Sequence, residues 1–128
     1  MHISQGIDLL NVKRINKVYK RFGQRFLDKV LSHKELQVLK KRNKINYVAN
    51  RFAAKEAVLK AFGFGWRNGV KLTEIEILND DLGNPEVYLH GKTKEILHNL
   101  SNLKIIKINI SISDEKDYVV ALALLIQE

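Results

Sequence analysis

Apolar residues recur along the chain in two rhythms, and the switch between them marks out its elements. Ile3, Ile7 and Leu9 alternate with Ser4, Gly6 and Asp8, which predicts a strand with one greasy face and one face of small residues ending in a carboxylate. Gly6 on the small face implies that another backbone or a ligand comes close there. Asn11 is then a good N-cap, and Val12, Ile15, Val18, Tyr19 and Phe22 follow at helical spacing until Gly23. Ser32-His-Lys-Glu35 is a capping box that opens a short helix on Leu36, Val38 and Leu39. That helix runs out in the basic stretch Lys40 to Lys44, of a kind usually just solvated.

The next helix, from Asn46 to Phe62, breaks the amphipathic pattern. Phe52, Ala53, Ala54, Ala57, Val58, Leu59, Ala61 and Phe62 point in nearly every direction around its axis, as in a buried helix. Yet it also carries Arg51, Lys55, Glu56 and Lys60, and charges go inside only when paired or when they bind something. Glu56 and Lys60 stand four apart, either as an ion pair at a helix rim or as a carboxylate and a lysine offered to a ligand. Gly63 and Gly65 stop the helix and allow backbone close to phosphate.

Downstream, Leu72 to Leu78 reads as a strand with Ile75 and Ile77 inward, and the turn formers Asn79 to Pro85 lead to a short strand, Glu86 to Leu89. Lys92 to Leu100 reads as a helix on Ile96, Leu97 and Leu100. Ile106, Ile108, Ile110 and Ile112 alternate with polar residues in the cleanest strand of the chain. Asp114 to Asp117 turns it back into Val119 to Ile126, so continuously apolar that a strand covered on both faces is expected. The fold class is α+β, an antiparallel sheet packed around the Asn46 to Phe62 helix, in a single domain spanning residues 1–128.

Composition narrows the function. A chain of 128 residues needs no metal or disulfide to hold it together. It has no cysteine, which excludes zinc thiolate sites and thiol nucleophiles and fits a cytoplasmic protein. No signal peptide pattern is visible. The longest apolar run, Tyr118 to Ile126, is about half of the ~20 residues that a membrane helix needs, so no span is expected. Lys and Arg outnumber Asp and Glu by 22 to 14, a net charge of +8, which points to polyanionic partners. The polar face of the first helix, Lys13, Arg14, Lys17, Lys20 and Arg21, is wholly basic. It is either a solvated face or a dock for an acidic partner. A nucleic-acid module would want exposed aromatics among these basic residues, whereas most aromatics here occupy core-like positions. A purely structural module would leave Glu56 and Lys60 as an internal pair.

Two carboxylates stand in apolar or small surroundings, Asp8 and Glu56. Magnesium commonly takes only one or two protein carboxylates and fills its remaining positions with water and phosphate oxygens. Two acids, Lys60 and a glycine turn would suit a phosphate-bearing substrate, although there is no Walker sequence and no Gly-x-Gly-x-x-Gly. The four histidines are scattered without ligand spacing.

The order of short motifs is more specific than any one of them. Gly6-Ile-Asp8, Arg51-Phe-Ala-Ala-Lys-Glu-Ala57, Lys60-Ala-Phe-Gly63, Ile75-Glu-Ile77, Gly83-Asn-Pro-Glu-Val87 and Ile110-Ser-Ile-Ser113 before Tyr118 run over nearly the whole chain. In this order they resemble the holo-acyl-carrier-protein synthase family of 4'-phosphopantetheinyl transferases. The resemblance implies magnesium-dependent transfer of the phosphopantetheine arm of coenzyme A to a serine of acyl carrier protein, in fatty acid synthesis, with adenosine 3',5'-bisphosphate released. It implies Asp8 and Glu56 as metal ligands, Lys60 on the coenzyme A phosphates, and Gly83, Asn84 and Pro85 beside the nucleotide. Arg14, helped by Arg21 and Arg25, would meet the carrier, and the assembly would be a homotrimer with sites at subunit seams. The chain departs from many members at Asn84, where lysine is usual, and at Asp114, where histidine is usual. Asp114 either helps take the proton from the carrier serine or only opens the hairpin turn.

Overall fold

A computed structural model of the chain describes residues 1–42, 44–63 and 69–128. Gly65 lies outside these. The elements are β1 (His2–Asn11), α1 (Val12–Phe22), α2 (Gln24–Val30), α3 (His33–Leu39), α4 (Lys44–Ala61), a 3₁₀ turn (Leu72–Glu74), β2 (Ile75–Asn79), β3 (Pro85–Leu89), α5 (Gly91–His98), β4 (Ile105–Asp114) and β5 (Tyr118–Gln127). Strands β1, β5 and β4 form one antiparallel sheet in that order, and β2 and β3 a separate hairpin.

Helix α4 crosses the larger sheet on its inner face, and small residues set how closely. Ala53, Ala54, Ala57 and Ala61 on the helix and Ala121 and Ala123 on β5 are all fully or almost fully buried. Gly6 completes the contact: a Cβ built there would lie 2.2 Å from Ala57 O and 2.5 Å from Ala61 N. The small-residue face of β1 is therefore the inner one, and the helix lies directly on backbone. Ile3, Ile7 and Leu9 consequently point outward, 56%, 59% and 66% exposed.

Strand β5 corrects the expectation that both its faces are covered. Val119, Ala121, Ala123 and Leu125 are buried beneath α4, while Tyr118 and Leu122 on the other face remain exposed. Its continuous hydrophobicity thus covers an open apolar surface shared with β1. Two further corrections are local. Residues 72–74 form a 3₁₀ turn rather than strand, because the Glu74 carboxylate must reach Thr93 N (3.2 Å) and Oγ1 (2.8 Å) at the start of α5. A register shift between Ile105 and Lys107 in the pairing with β5 puts Ile106 outside. Helix α5 ends at His98, leaving Leu100 exposed.

The caps behave as their residue types dictate. Asn11 accepts from Lys13 N at the start of α1, and Gly23, at φ 58°, ends it. The Ser32 and Glu35 capping box is present at α3, and Glu35 does more than cap. Its carboxylate, fully buried, also takes the Lys55 ammonium from α4 and the Ile77 amide (2.8 Å) from β2. Lys55 donates in addition to Val30 O and Leu72 O. Burial pushes the Lys55 ammonium below its ordinary value, against the pull of Glu35. This pair locks the rotation of α4 about its own axis, and with it the direction in which Glu56 and Lys60 project.

Candidate active site

The contact at Gly6 also aims the first acid. Asp8 follows two residues later on the same face of β1, and Lys60, whose Cβ packs at Gly6, extends along the strand. Its Nζ donates to Ile7 O (2.9 Å) and to Asp8 Oδ1 (3.1 Å). Asp8's side chain is 16% exposed and that of Lys60 52%, so the carboxylate is sheltered while the ammonium faces outward. Lys60 therefore has Asp8 as a partner across elements. Glu56 is half-buried one turn earlier on α4, on the same flank as Lys60. All three side chains are thus held by the crossing of one strand and one helix. The donors are hard carboxylate oxygens, a set that fits magnesium with water and phosphate completing its shell.

A second part of the site lies toward the N-terminal end of α4. Asn50 Nδ2 donates to both carboxylate oxygens of Asp114 at 3.2 Å, tying the end of β4 to the helix. Arg51 Nη1 and Nη2 donate to Asn50 Oδ1 (2.6 Å) and Asn79 Oδ1 (3.1 Å), and its guanidinium stacks 4.9 Å from the Tyr47 ring centroid. These residues, with Arg42, Gly83 and Pro85, line a cleft of about 290 Å³. Tyr47 Oη and Arg51 Nε are buried there without a hydrogen-bond partner among the described residues. Burial pushes the Tyr47 phenol above its ordinary value, opposed by the charge of Arg51. A neighbouring open groove is walled by Lys34, Lys40, Lys41 and Arg42, so the basic stretch after α3 faces the same cleft and gives it a positive field. Sequence reasoning noted Arg51 as a charge in the buried helix but gave no site role to it, nor to Asn50, Tyr47 or Asn79. The signal was a buried-looking arginine at the head of the central helix.

The remaining expected residues fall around these two centres. Gly63, at φ 71°, donates its N–H to Lys60 O at the end of α4. Gly83, at φ 88°, and Asn84 form the β2–β3 turn, in which Asp80 Oδ1 accepts the Asn84 and Leu82 amides. Pro85 opens β3 beside the cleft. Arg14 and Arg21 are exposed on α1 and Arg25 on α2. Asp114 is not beside Asp8 within one chain: its partner Asn50 precedes Glu56 by about 9 Å along the helix axis.

Paired carboxylates, an outward lysine and a basic cleft on one helix are the equipment of a phosphoryl-transfer site, in which position and charge do most of the catalysis. Comparison with known proteins is more specific. The 4'-phosphopantetheinyl transferase superfamily matches residues 4–123. A holo-[acyl-carrier-protein] synthase from Natranaerobius thermophilus is 43% identical, with 98% of this chain and 98% of that protein covered. The crystal structure of a Neisseria meningitidis holo-[acyl-carrier-protein] synthase superposes with TM-score 0.86 at 35% identity, covering 96% of this chain and 97% of that one. The ACPS–CoA complex of Chronobacterium ammoniagenes gives TM-score 0.87 at 28% identity, over 100% and 99%. The chain belongs to the 4'-phosphopantetheinyl transferase superfamily.

Proposed function

We propose that this chain is a holo-acyl-carrier-protein synthase that moves the 4'-phosphopantetheine arm of coenzyme A onto a serine of apo acyl carrier protein. The observation that carries this reading is the contact between Asp8 and Lys60, 3.1 Å apart, with Glu56 one turn away. Relatives named for the same activity, and a coenzyme A complex among the similar structures, support it.

Asp8 and Glu56 would hold magnesium, which supplies positive charge to the pyrophosphate. Lys60 offers its half-exposed ammonium to the same phosphates. The serine oxygen attacks the β-phosphorus, the bond from that phosphorus to the bridging oxygen breaks, and adenosine 3',5'-bisphosphate leaves with the electron pair. The cleft at Asn50, Arg51, Gly83 and Pro85, with Asn84 in the adjoining turn, receives the leaving nucleotide, where Arg51 supplies charge and the turn exposes backbone. The serine proton passes to Asp114 or to water. Asp114 is held by Asn50 away from Asp8 in its own chain, so a role as base requires it to act at the site of a neighbouring copy.

A homotrimer with sites at its seams fits the outward face of Ile3, Ile7, Leu9, Tyr118 and Leu122, because so contiguous an apolar surface marks an interface. Arg14, Arg21 and Arg25 form the dock for the acidic carrier, close to Asp8 because α1 begins where β1 ends. No helix among the described residues is long and apolar enough to cross a membrane, and the work would be done in the cytoplasm, for fatty acid synthesis. Incubation with apo carrier protein, coenzyme A and magnesium should add the mass of one phosphopantetheine arm to the carrier. An unchanged carrier mass refutes the reading.

A further inference from the structure

Glu35 is fully buried and takes no part in the chemistry above, yet its carboxylate joins three elements. It accepts the Ser32 amide at the start of α3 (2.8 Å), the Lys55 ammonium on α4 and the Ile77 amide on β2 (2.8 Å). A buried ion pair is often no more stabilising than apolar side chains of the same volume, so stability alone does not account for it. Both of its partners outside α3 stand one step from the cleft. Lys55 lies one turn, about 6 Å, after Arg51 on one face of α4, and Ile77 lies two residues, about 7 Å, before Asn79 on one face of β2. Arg51 and Asn79 meet directly, Nη2 donating to Oδ1 at 3.1 Å. Helix and strand are therefore tied by two rungs, a buried one through Glu35 and a second, Arg51 to Asn79, that lines the cleft. The third arm of Glu35 holds α3, from which Gln37 and Val38 wall the adjoining basic groove.

The charges follow the same plan. Arg51 is 4% exposed, and its guanidinium donates to the neutral oxygens of Asn50 and Asn79. With Lys55 one turn away, two cations share a buried face, and the pull of Glu35 on Lys55 opposes the push of Arg51. Glu35 thus neutralises the inner cation and leaves the outer one its charge. We propose that Glu35 is a positioning residue for the cleft: by clamping Lys55 and the Ile77 amide it sets the spacing of α4 and β2, and so aims the Arg51 guanidinium at an anion. These contacts lie within one chain, so the role holds whichever copy supplies Asp8 and Glu56. The proposal rests on the function given above and adds to it a residue that never touches the ligand.

The test is a double-mutant cycle on the affinity for adenosine 3',5'-bisphosphate. Calorimetry well below the melting temperature compares the wild type, Glu35→Gln, Asn79→Ala and the double variant. Glu35→Gln keeps the size of the side chain and removes its charge. The expected result is binding weakened about tenfold or more at unchanged stoichiometry. Adding Glu35→Gln to Asn79→Ala should weaken it little further, because the second rung is then already gone. A merely structural Glu35 would instead lower the stoichiometry, as part of the protein unfolds, and leave the affinity of the remainder unchanged. That result, or losses that add in full, overturns the proposal while the function stands. A wild type that binds no bisphosphate overturns the nucleotide cleft, and the positioning role with it.

If Glu35→Gln fails to fold, amide hydrogen exchange on the wild type decides. Coupling between two sites is reciprocal, so a ligand that depends on the clamp also tightens it. Saturating bisphosphate should therefore slow exchange of the Ile77 amide more than that of Ala123, which is paired in the larger sheet. Equal slowing at the two positions overturns the proposal.

Discussion

Replacing Gly6 with alanine puts one methyl group where strand β1 and helix α4 are already in contact. The new carbon would sit 2.2 Å from Ala57 O, 2.5 Å from Ala61 N and 2.7 Å from Lys60 Cβ. Two of these neighbours are backbone and cannot rotate aside, so the strand must retreat by roughly 1 Å or more to reach an ordinary contact. Gly6 is not among the glycines with positive φ, and alanine brings no backbone strain of its own there. Overpacking of this kind costs about 1–3 kcal/mol, offset by about 0.4–1 kcal/mol from the stiffer unfolded chain. The net loss of about 1–2 kcal/mol should lower the melting temperature by roughly 3–8 °C. Function should suffer more, since Asp8 rides on the same strand, and a 1 Å misplacement at a reacting centre can remove about 10²-fold in rate. Thermal unfolding followed by circular dichroism, and formation of holo carrier protein followed by mass spectrometry well below the melting point, measure the two parts separately. An alanine variant with wild-type melting and turnover would refute the close crossing and its control over Asp8. Early melting with normal turnover would refute the control alone.

Asp8→Asn and Glu56→Gln, which keep shape and remove charge, should each lower turnover about 10²- to 10³-fold without unfolding the chain; near-wild-type turnover at saturating magnesium would remove that residue from the metal site. Arg14→Glu should raise the KM for the carrier about thirtyfold while coenzyme A binding holds, and wild-type affinity for the carrier should fall with salt. An unchanged carrier KM at low salt would make the α1 face merely solvated. Burial pushes the Glu76 carboxyl up, but hydrogen bonds from Ser32 (2.6 Å) and His90 (3.1 Å) and the charges of His90 and Lys34 outweigh it and leave it below its ordinary 4.5. A depressed carboxyl contributes stability above its unfolded value that is lost as pH falls through the folded one, so melting should weaken below about pH 4.5. In Glu76→Gln that part of the acid slope should disappear, and an identical slope would exclude Glu76 as its source.

What could be read from residues alone follows the range of the forces involved. Local signals were sufficient for the capped starts of α1 and α3 and for the β4–β5 hairpin, because Asn11, Ser32 with Glu35, and the Asp114 to Asp117 turn act within a few positions. Asp8, Glu56 and Lys60 stood out because charge in apolar or small surroundings is visible in one dimension. The direction of β1 was not, since the choice between Ile3, Ile7 and Leu9 and the Gly6 face depends on how near a helix must come. Nor was the partner of Lys55: Glu35 had a sufficient local explanation as a capping residue, and nothing in its neighbourhood reports a lysine on another helix. The cleft around Arg51 joins α4, the β2–β3 turn and the end of β4, so no contiguous pattern could outline it.

Strand β1 is a wall with chemistry on one side and adhesion on the other. Ile3, Ile7 and Leu9 alternate with Gly6 and Asp8 along a single backbone, so whatever covers the outer face bears on the strand that carries the inner carboxylate. The free energy of covering one side is thereby linked to that of ligand binding on the other, and such linkage is reciprocal. Were copies to associate through this face, as proposed above, substrates that fix Asp8 would strengthen that association, and association would sharpen the grip on substrate. A catalyst so assembled would sense its own abundance, since dilution would slacken Asp8 before any helix unfolds.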